Sequence, residues 1–303
     1  MVSVKATENS SIQTPLSAIR NLAYRGRLAP SPTGYLHLGH AFTFGVAAQR
    51  ARGGTLVLRN EDLDPQRSRR EFVAAFVEDL RWLGLEWQEG CDIGGPFAPY
   101  SQSERREFYL AAWRQLWRND CIYPCNCSRR DLQQAASAPH EPTPNDEPLY
   151  AGTCRDKSQA DFAHLTEPRG VNWRFCVPDG ANISFTDGYH GSQSYQAGRE
   201  IGDFVIWRRD DVPAYQLAVV VDDAAMQITE VVRGADLLVS TARQILLQQA
   251  LHYPTPAYYH CPLLTDADGQ RLAKRHDTLS LRALRANGET PAQVWAQMAE
   301  ARV

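Results

Sequence analysis

Short apolar runs and longer amphipathic ones alternate along most of the chain, and their spacing predicts its elements. Residues 24–28 read as a short strand running into a loop broken by Pro30, Pro32 and Gly34. Residues 41–52 hold few turn formers and predict a buried helix stopped by Gly53 and Gly54. Residues 55–59 predict a second strand, ending in the acidic group Glu61, Asp62 and Asp64. Phe72, Phe76, Leu80 and Leu83 recur at helical spacing, so residues 69–83 predict an amphipathic helix closed by Gly84. The order strand, helix, strand, helix implies an α/β fold with a doubly wound parallel sheet, and ligands are expected where loops leave the strand ends.

From about residue 121 to 199 that rhythm breaks. The stretch holds a cysteine group, a proline-rich segment at 137–148 and short strand-like pieces such as 172–177. The α/β pattern resumes at 203–208, 215–221 and 227–233, followed by a helix from about 240 to 252. The expected organisation is a tail over 1–20, a first sheet half over 21–120, an insertion over 121–200, a second half over 201–260, and a loop with a short helical segment over 261–303. Residues 1–17 are polar and lack the apolar core of a signal peptide, so they read as a disordered tail.

Composition narrows the function classes. With 43% hydrophobic and 22% charged residues over 303 positions, the chain has an ordinary globular make-up. Its longest apolar runs, such as 217–221, are strand-sized and far short of the ~18 residues of a membrane-spanning helix, so no membrane partner is expected. A net charge of −3 and a pI near 6.2 exclude a purely electrostatic nucleic-acid binder and leave room for a local basic face. Seven cysteines, four of them within 121–154, favour a reduced cytoplasmic setting and a metal over extracellular bridges.

Three clusters carry chemistry. In the first, Pro30-Ser31-Pro32-Thr33-Gly34 precedes His37-Leu38-Gly39-His40 at a helix start. Two imidazoles three residues apart then face one side with the helix dipole, a setting for a polyphosphate whose charge grows in a transition state. Gly39, lacking a Cβ, lets a flat ring and ribose lie on the backbone. An isolated pair of this kind is more often two satisfied histidines at a helix cap; the preceding loop and Arg27 favour the phosphate reading. The second cluster is a glycine-led basic loop, Gly269-Gln270-Arg271-Leu272-Ala273-Lys274-Arg275, whose Lys274 matters only if the fold brings it opposite His37 and His40. In the third, Cys125-x-Cys127 and a distant Cys154 suit a tetrahedral zinc, with Cys121 or His140 as the fourth ligand by composition. Reduced cysteines packing a small insertion are the plainer alternative.

The first two clusters resemble the "HIGH" and "KMSKS" signatures of the class I aminoacyl-tRNA synthetases. The former has the glutamate-specific form Arg27-x-Ala29-Pro30-Ser31-Pro32-Thr33-Gly34, and the latter carries Ala273 where serine is usual. Arg59-x-Glu61-Asp62-x-Asp64, residues 215–223 and residues 229–236 match further family blocks in order, so the resemblance spans roughly residues 25–275. It implies a Rossmann-type catalytic domain split by a small zinc-binding insertion, adenylation of L-glutamate by ATP with Mg2+, and transfer of the acyl group to RNA. By that resemblance His37, Gly39, His40 and Lys274 bind ATP, and His37, His40 and Lys274 are catalytic. Arg27, Ala29, Ser31, Glu61, Tyr215 and Arg233 form the glutamate site, with guanidiniums for the side-chain carboxylate and Glu61 for the α-ammonium. The resemblance also points to Tyr150 as the fourth ligand of one structural zinc held by Cys125, Cys127 and Cys154.

Two departures from the glutamyl enzymes are those of their truncated paralogues: only about thirty residues follow the basic loop, and Val219 stands where an asparagine is common. In that branch glutamate goes to a cyclopentene-diol hydroxyl of queuosine, at the wobble position of tRNA(Asp). The implied partners are ATP, L-glutamate and queuosine-containing tRNA(Asp), with activation independent of tRNA and the protein a cytoplasmic monomer. A minimal enzyme charging a tRNA 3′ end, a ligase with a small acceptor, and a non-catalytic RNA-binding or glutamate-sensing module are the competing readings.

Overall fold

The computed structural model describes residues 23–127, 149–150, 152–155, 162, 165–264 and 280–300. The basic loop with Lys274, the proline-rich segment with His140 and the N-terminal tail lie outside the described residues.

Apolar runs alternate with helical periods as the pattern requires. The first half comprises β1 (Arg25–Leu28), α1 (Leu38–Arg50), β2 (Thr55–Leu58), α2 (Arg70–Trp82), β3 (Glu89–Gly90) and α3 (Arg106–Arg118). Then come β4 (Ile122–Cys125), β5 (Asn172–Phe175), β6 (Asn182–Asp187), β7 (Gly191–Gln196) and β8 (Phe204–Trp207). α4 (Tyr215–Ala225), β9 (Glu230–Gly234), α5 (Leu238–Leu251), β10 (Ala257–Cys261), α6 (Leu281–Ala286) and α7 (Pro291–Glu300) complete the order.

β1, β2 and β3 pair in parallel, with Arg27 opposite Val57. β9, β10 and β6 also pair in parallel, and β7 closes the far edge antiparallel to β6. The two groups meet at β1 and β9, where Thr229 N–H donates to Arg25 O at 2.9 Å and Arg27 Nη1 donates to Val232 O at 2.9 Å. Strand side chains alternate between two cores. Leu28, Leu56, Leu58 and Val232 pack with Leu38, Phe44 and Phe76 of α1 and α2. Val57, Val231 and Tyr258 pack with Tyr109, Leu217 and Ile245 of α3, α4 and α5. Helices thus cover both faces, which is the doubly wound arrangement.

Residues 217–221, strand-sized in sequence, lie inside α4, where Leu217, Ala218, Val219, Val220 and Val221 are all buried. Three consecutive valines favour a strand locally, and burial of the helix against α3 and α5 outweighs that preference. β4, β5 and β8 form a separate antiparallel sheet, with Tyr123 opposite Arg174 and Phe175 opposite Phe204. The elements interleave in the chain: β6 and β7 join the parallel strands, whereas the later β8 closes the antiparallel sheet. Among the described residues no helix is long and apolar enough to cross a membrane.

Candidate active site and metal cluster

The loops leaving β1, β2, β9 and β10 open into one cavity of about 290 Å³, where parallel strands are expected to present a ligand site. Arg27, Ala29, His37, Gly39, His40, Glu61, Tyr215 and Arg233 all line it. Ser31 is exposed and is not part of the wall; Val219 is buried within α4 and also does not reach it.

At one end of the cavity α1 begins with a reciprocal cap. His37 Nδ1 accepts the Gly39 N–H at 3.1 Å, and His40 Nδ1 accepts the His37 N–H at 3.3 Å. Both Nδ1 lone pairs are used, so each ring carries its proton on Nε2. The ring centroids are 3.8 Å apart, and burial lowers both imidazoles from their ordinary range, His40 to about 3. The pair therefore offers neutral N–H donors at physiological pH instead of two imidazolium charges. A Cβ on Gly39 would lie 3.1 Å from His37 Cε1, so glycine at this position also makes room for the His37 ring. Thr43, one turn further, donates its hydroxyl to Gly39 O at 3.0 Å and lines the same cavity.

The other end is charged. Arg27, 5% exposed, places Nε 3.4 Å from Asp223 Oδ1. Arg59, fully buried behind it, donates to the same Asp223 oxygen at 2.7 Å and to Glu61 Oε1 at 3.0 Å. Burial opposes ionisation of Asp223, but the guanidiniums of Arg59 and Arg27 hold its carboxyl below the usual range. Burial raises Glu61 above the usual carboxylate range against the pull of Arg59. Both Arg59 contacts fall on Oε1 of Glu61, which leaves Oε2 for an incoming cation. Arg233, also 5% exposed, sets Nη1 3.4 Å from the Tyr215 hydroxyl and is anchored behind by His260 and Thr241. Two guanidiniums, one carboxylate and a phenol on one wall suit a ligand that bears carboxylates and an ammonium.

The cysteines gather elsewhere, at the end of β4. The sulfurs of Cys125, Cys127 and Cys154 lie within 4.8 Å of one another, and Cys127 Sγ is 3.6 Å from Cys154 Sγ. Tyr150 Oη sits 3.4 Å from Cys125 Sγ and 3.4 Å from Cys127 Sγ, and accepts the Cys154 N–H at 2.9 Å. Tetrahedral zinc with ordinary bond lengths sets sulfurs about 3.8 Å apart and a sulfur about 3.5 Å from an oxygen ligand. The Cys127–Cys154 separation and both Tyr150–sulfur distances are close to those figures, and all three sulfurs lie within 4.8 Å of one another. Arg174, from β5, donates Nε–H to Cys125 Sγ at 3.3 Å and lies 3.9 Å over the Tyr150 ring, adding positive charge beside three thiols and a phenol. Cys121 bonds Asn119 O instead and is not in the group.

Comparison with known proteins gives this geometry a family. Residues 23–299 match the model described as tRNA synthetases class I (E and Q), catalytic domain. The chain is 50% identical over 281 residues to a glutamyl-Q tRNA(Asp) synthetase of Nitratidesulfovibrio vulgaris, covering 91% of this chain and 85% of that protein. It is 49% identical over 277 residues to a glutamyl-Q tRNA(Asp) synthetase of Symbiobacterium thermophilum, covering 90% of this chain and 85% of that protein. The chain belongs to the glutamyl-Q tRNA(Asp) synthetase group of class I synthetases. A crystal structure of a glutamate tRNA ligase from Elizabethkingia meningosepticum, in complex with its amino acid, shares the fold with a TM-score of 0.73 at 29% identity. That match covers 88% of this chain, which spans 54% of the ligase.

Within this synthetase several residues in or behind the cavity wall carried no assigned role in the sequence. Arg59 and Asp223 stand inside matched blocks, so their motif positions were the only signal. Asp236 lines the cavity and folds its Oδ1 back over Gly234, where a Cβ would meet it at 2.7 Å.

Proposed function

We propose that this synthetase activates L-glutamate with ATP in the absence of tRNA and passes it to queuosine at the wobble position of tRNA(Asp). The charge layout of the cavity carries the reading: guanidiniums of Arg27 and Arg233 on the wall with Glu61, and two neutral N–H donors at the α1 cap. The glutamate side-chain carboxylate pairs with Arg27, Arg233 and the Tyr215 hydroxyl, and the α-ammonium with Glu61 Oε2. That turns the α-carboxylate toward the histidines. One of its oxygens attacks the α-phosphorus of ATP, which enters with Mg2+, and the bond to the bridging oxygen of pyrophosphate breaks. His37 and His40 donate Nε2–H bonds to the charge that builds on the phosphates, with Lys274 from the basic loop as the further cation.

In the second step a diol hydroxyl of queuosine attacks the carbonyl carbon of the adenylate. The acyl C–O bond breaks, AMP leaves, and the hydroxyl proton passes to the departing phosphate. An acyl-adenylate is reactive enough that alignment supplies most of the rate. Support for this acceptor comes from relatives at about half identity whose names state it. Cys125, Cys127, Tyr150 and Cys154 would hold one zinc, which when bound cross-links a module with little apolar core of its own.

Exchange of labelled pyrophosphate into ATP tests the first step. With glutamate and no RNA, exchange is expected. Exchange that needs tRNA, or that glutamine supports as well as glutamate does, contradicts the reading.

A further inference from the structure

Behind the glutamate pocket runs a buried chain of hydrogen bonds across three neighbouring strands. Asp187 ends β6, His260 lies on β10, and Arg233 faces His260 in register on β9. His260 and Asp187 are 0% and 2% exposed. We propose that Asp187 and His260 are positioning residues that aim Arg233 at the substrate carboxylate, by locking His260 in the one tautomer able to accept from it. The inference rests on Arg233 being a ligand of glutamate.

The proton logic follows from who can donate. Asp187 accepts backbone N–H groups of Tyr189 at 3.0 Å, His190 at 2.8 Å and His260 at 3.0 Å. An ionised carboxylate only accepts, so His260 Nδ1, 2.7 Å from Asp187 Oδ2, carries the ring proton. Nε2 is left with its lone pair. Arg233 Nε donates to it at 3.1 Å, while Arg233 Nη2 donates to Thr241 Oγ1 at 2.7 Å. The Thr241 hydroxyl lies 3.2 Å from Leu237 O and 3.0 Å from His260 Nε2, and donating to Leu237 O leaves that lone pair to Arg233. One edge of the guanidinium is thereby fixed, and the other edge, Nη1 with the remaining Nη2 proton, stays available beside Tyr215 for a bidentate carboxylate. Burial and the neighbouring Arg233 charge push the His260 imidazole down to about 4, which keeps it an acceptor at neutral pH.

Asp187→Asn preserves shape but puts an amide donor against Nδ1. The ring must then carry its proton on Nε2, aimed at the Arg233 N–H, so the guanidinium is driven out of place. In glutamate-dependent pyrophosphate exchange, Asp187→Asn is expected to raise the KM for glutamate by about tenfold or more and leave the KM for ATP within about twofold. A second pair separates aim from bulk. His260→Gln, whose amide oxygen can meet Arg233 Nε, is expected to keep a lower glutamate KM than His260→Asn, which copies only the Asp187 side of the ring. A purely structural role would move both substrates together, or rank the two variants by melting temperature, and either result overturns the proposal. Arg233→Ala tells the two levels apart. If it leaves the glutamate KM unchanged, the pocket reading itself fails; if it raises that KM while Asp187→Asn and His260→Asn do not, only the positioning pair fails.

Discussion

Arg59 donates twice to one oxygen of Glu61 and once to Asp223, so Glu61 lines the cavity with a defined orientation before any ligand arrives. Free rotation of Glu61 would cost ordering entropy on binding; the buried guanidinium removes that cost in advance. Glu61→Gln keeps the shape and loses the charge that faces an ammonium. Losing a hydrogen bond to a charged group is worth about 1.5–3 kcal/mol, so the KM for glutamate in exchange is expected to rise about 10- to 100-fold. An unchanged KM would mean that the ammonium lies elsewhere. That Arg27, Glu61 and Arg233 share one cavity was legible in the sequence because each stands in a motif with a fixed neighbour. Their supports were not. Arg59 meets Asp223 164 residues along the chain, and His260 meets Asp187 73 residues back, distances at which local pattern carries no information. Ser31 shows the converse: its motif position groups it with the pocket, while it is exposed and lies outside the cavity wall.

At the scale of elements, the strand–helix alternation of the first half was readable from periodicity alone, with boundaries shifted by a residue or a few at each end. α4 was harder, because its valines carry a strand signal that only tertiary burial overrules. The α1 cap is a further case. Spacing put two histidines at the helix start, but the reciprocal bonds through Nδ1 appear only once the loop geometry is known. In the cysteine group, spacing indicated three soft donors and composition offered Cys121 or His140 as the fourth. Tyrosine is a rare enough zinc ligand that nothing in the composition points to Tyr150, and only the fold shows its hydroxyl set among the sulfurs. The purified protein is expected to carry about one zinc per chain by elemental analysis, and Cys125→Ser to lose most of it, since structural zinc depends on its full ligand set. Stoichiometric zinc in that variant would remove this ligand set.

Across the whole molecule, two parallel groups of strands meet at β1 and β9, and the seam is made in part by Arg27, which donates to Val232 while it lines the cavity. The same side chain thus joins the halves of the sheet and faces the cavity. His260 and Asp187 extend the connection outward to β6, so the hairpin of β6 and β7 is tied to the cavity through Arg233. The cysteine group belongs to the antiparallel sheet of β4, β5 and β8, apart from this seam, which would suit a supporting role for a metal held there. Transfer of labelled glutamate from the ATP-activated enzyme should be measured on tRNA(Asp) prepared with and without queuosine, and on tRNA(Glu). Label is expected only on the queuosine-containing tRNA(Asp); equal labelling of the unmodified form, or labelling of tRNA(Glu) instead, would contradict transfer to the modified base.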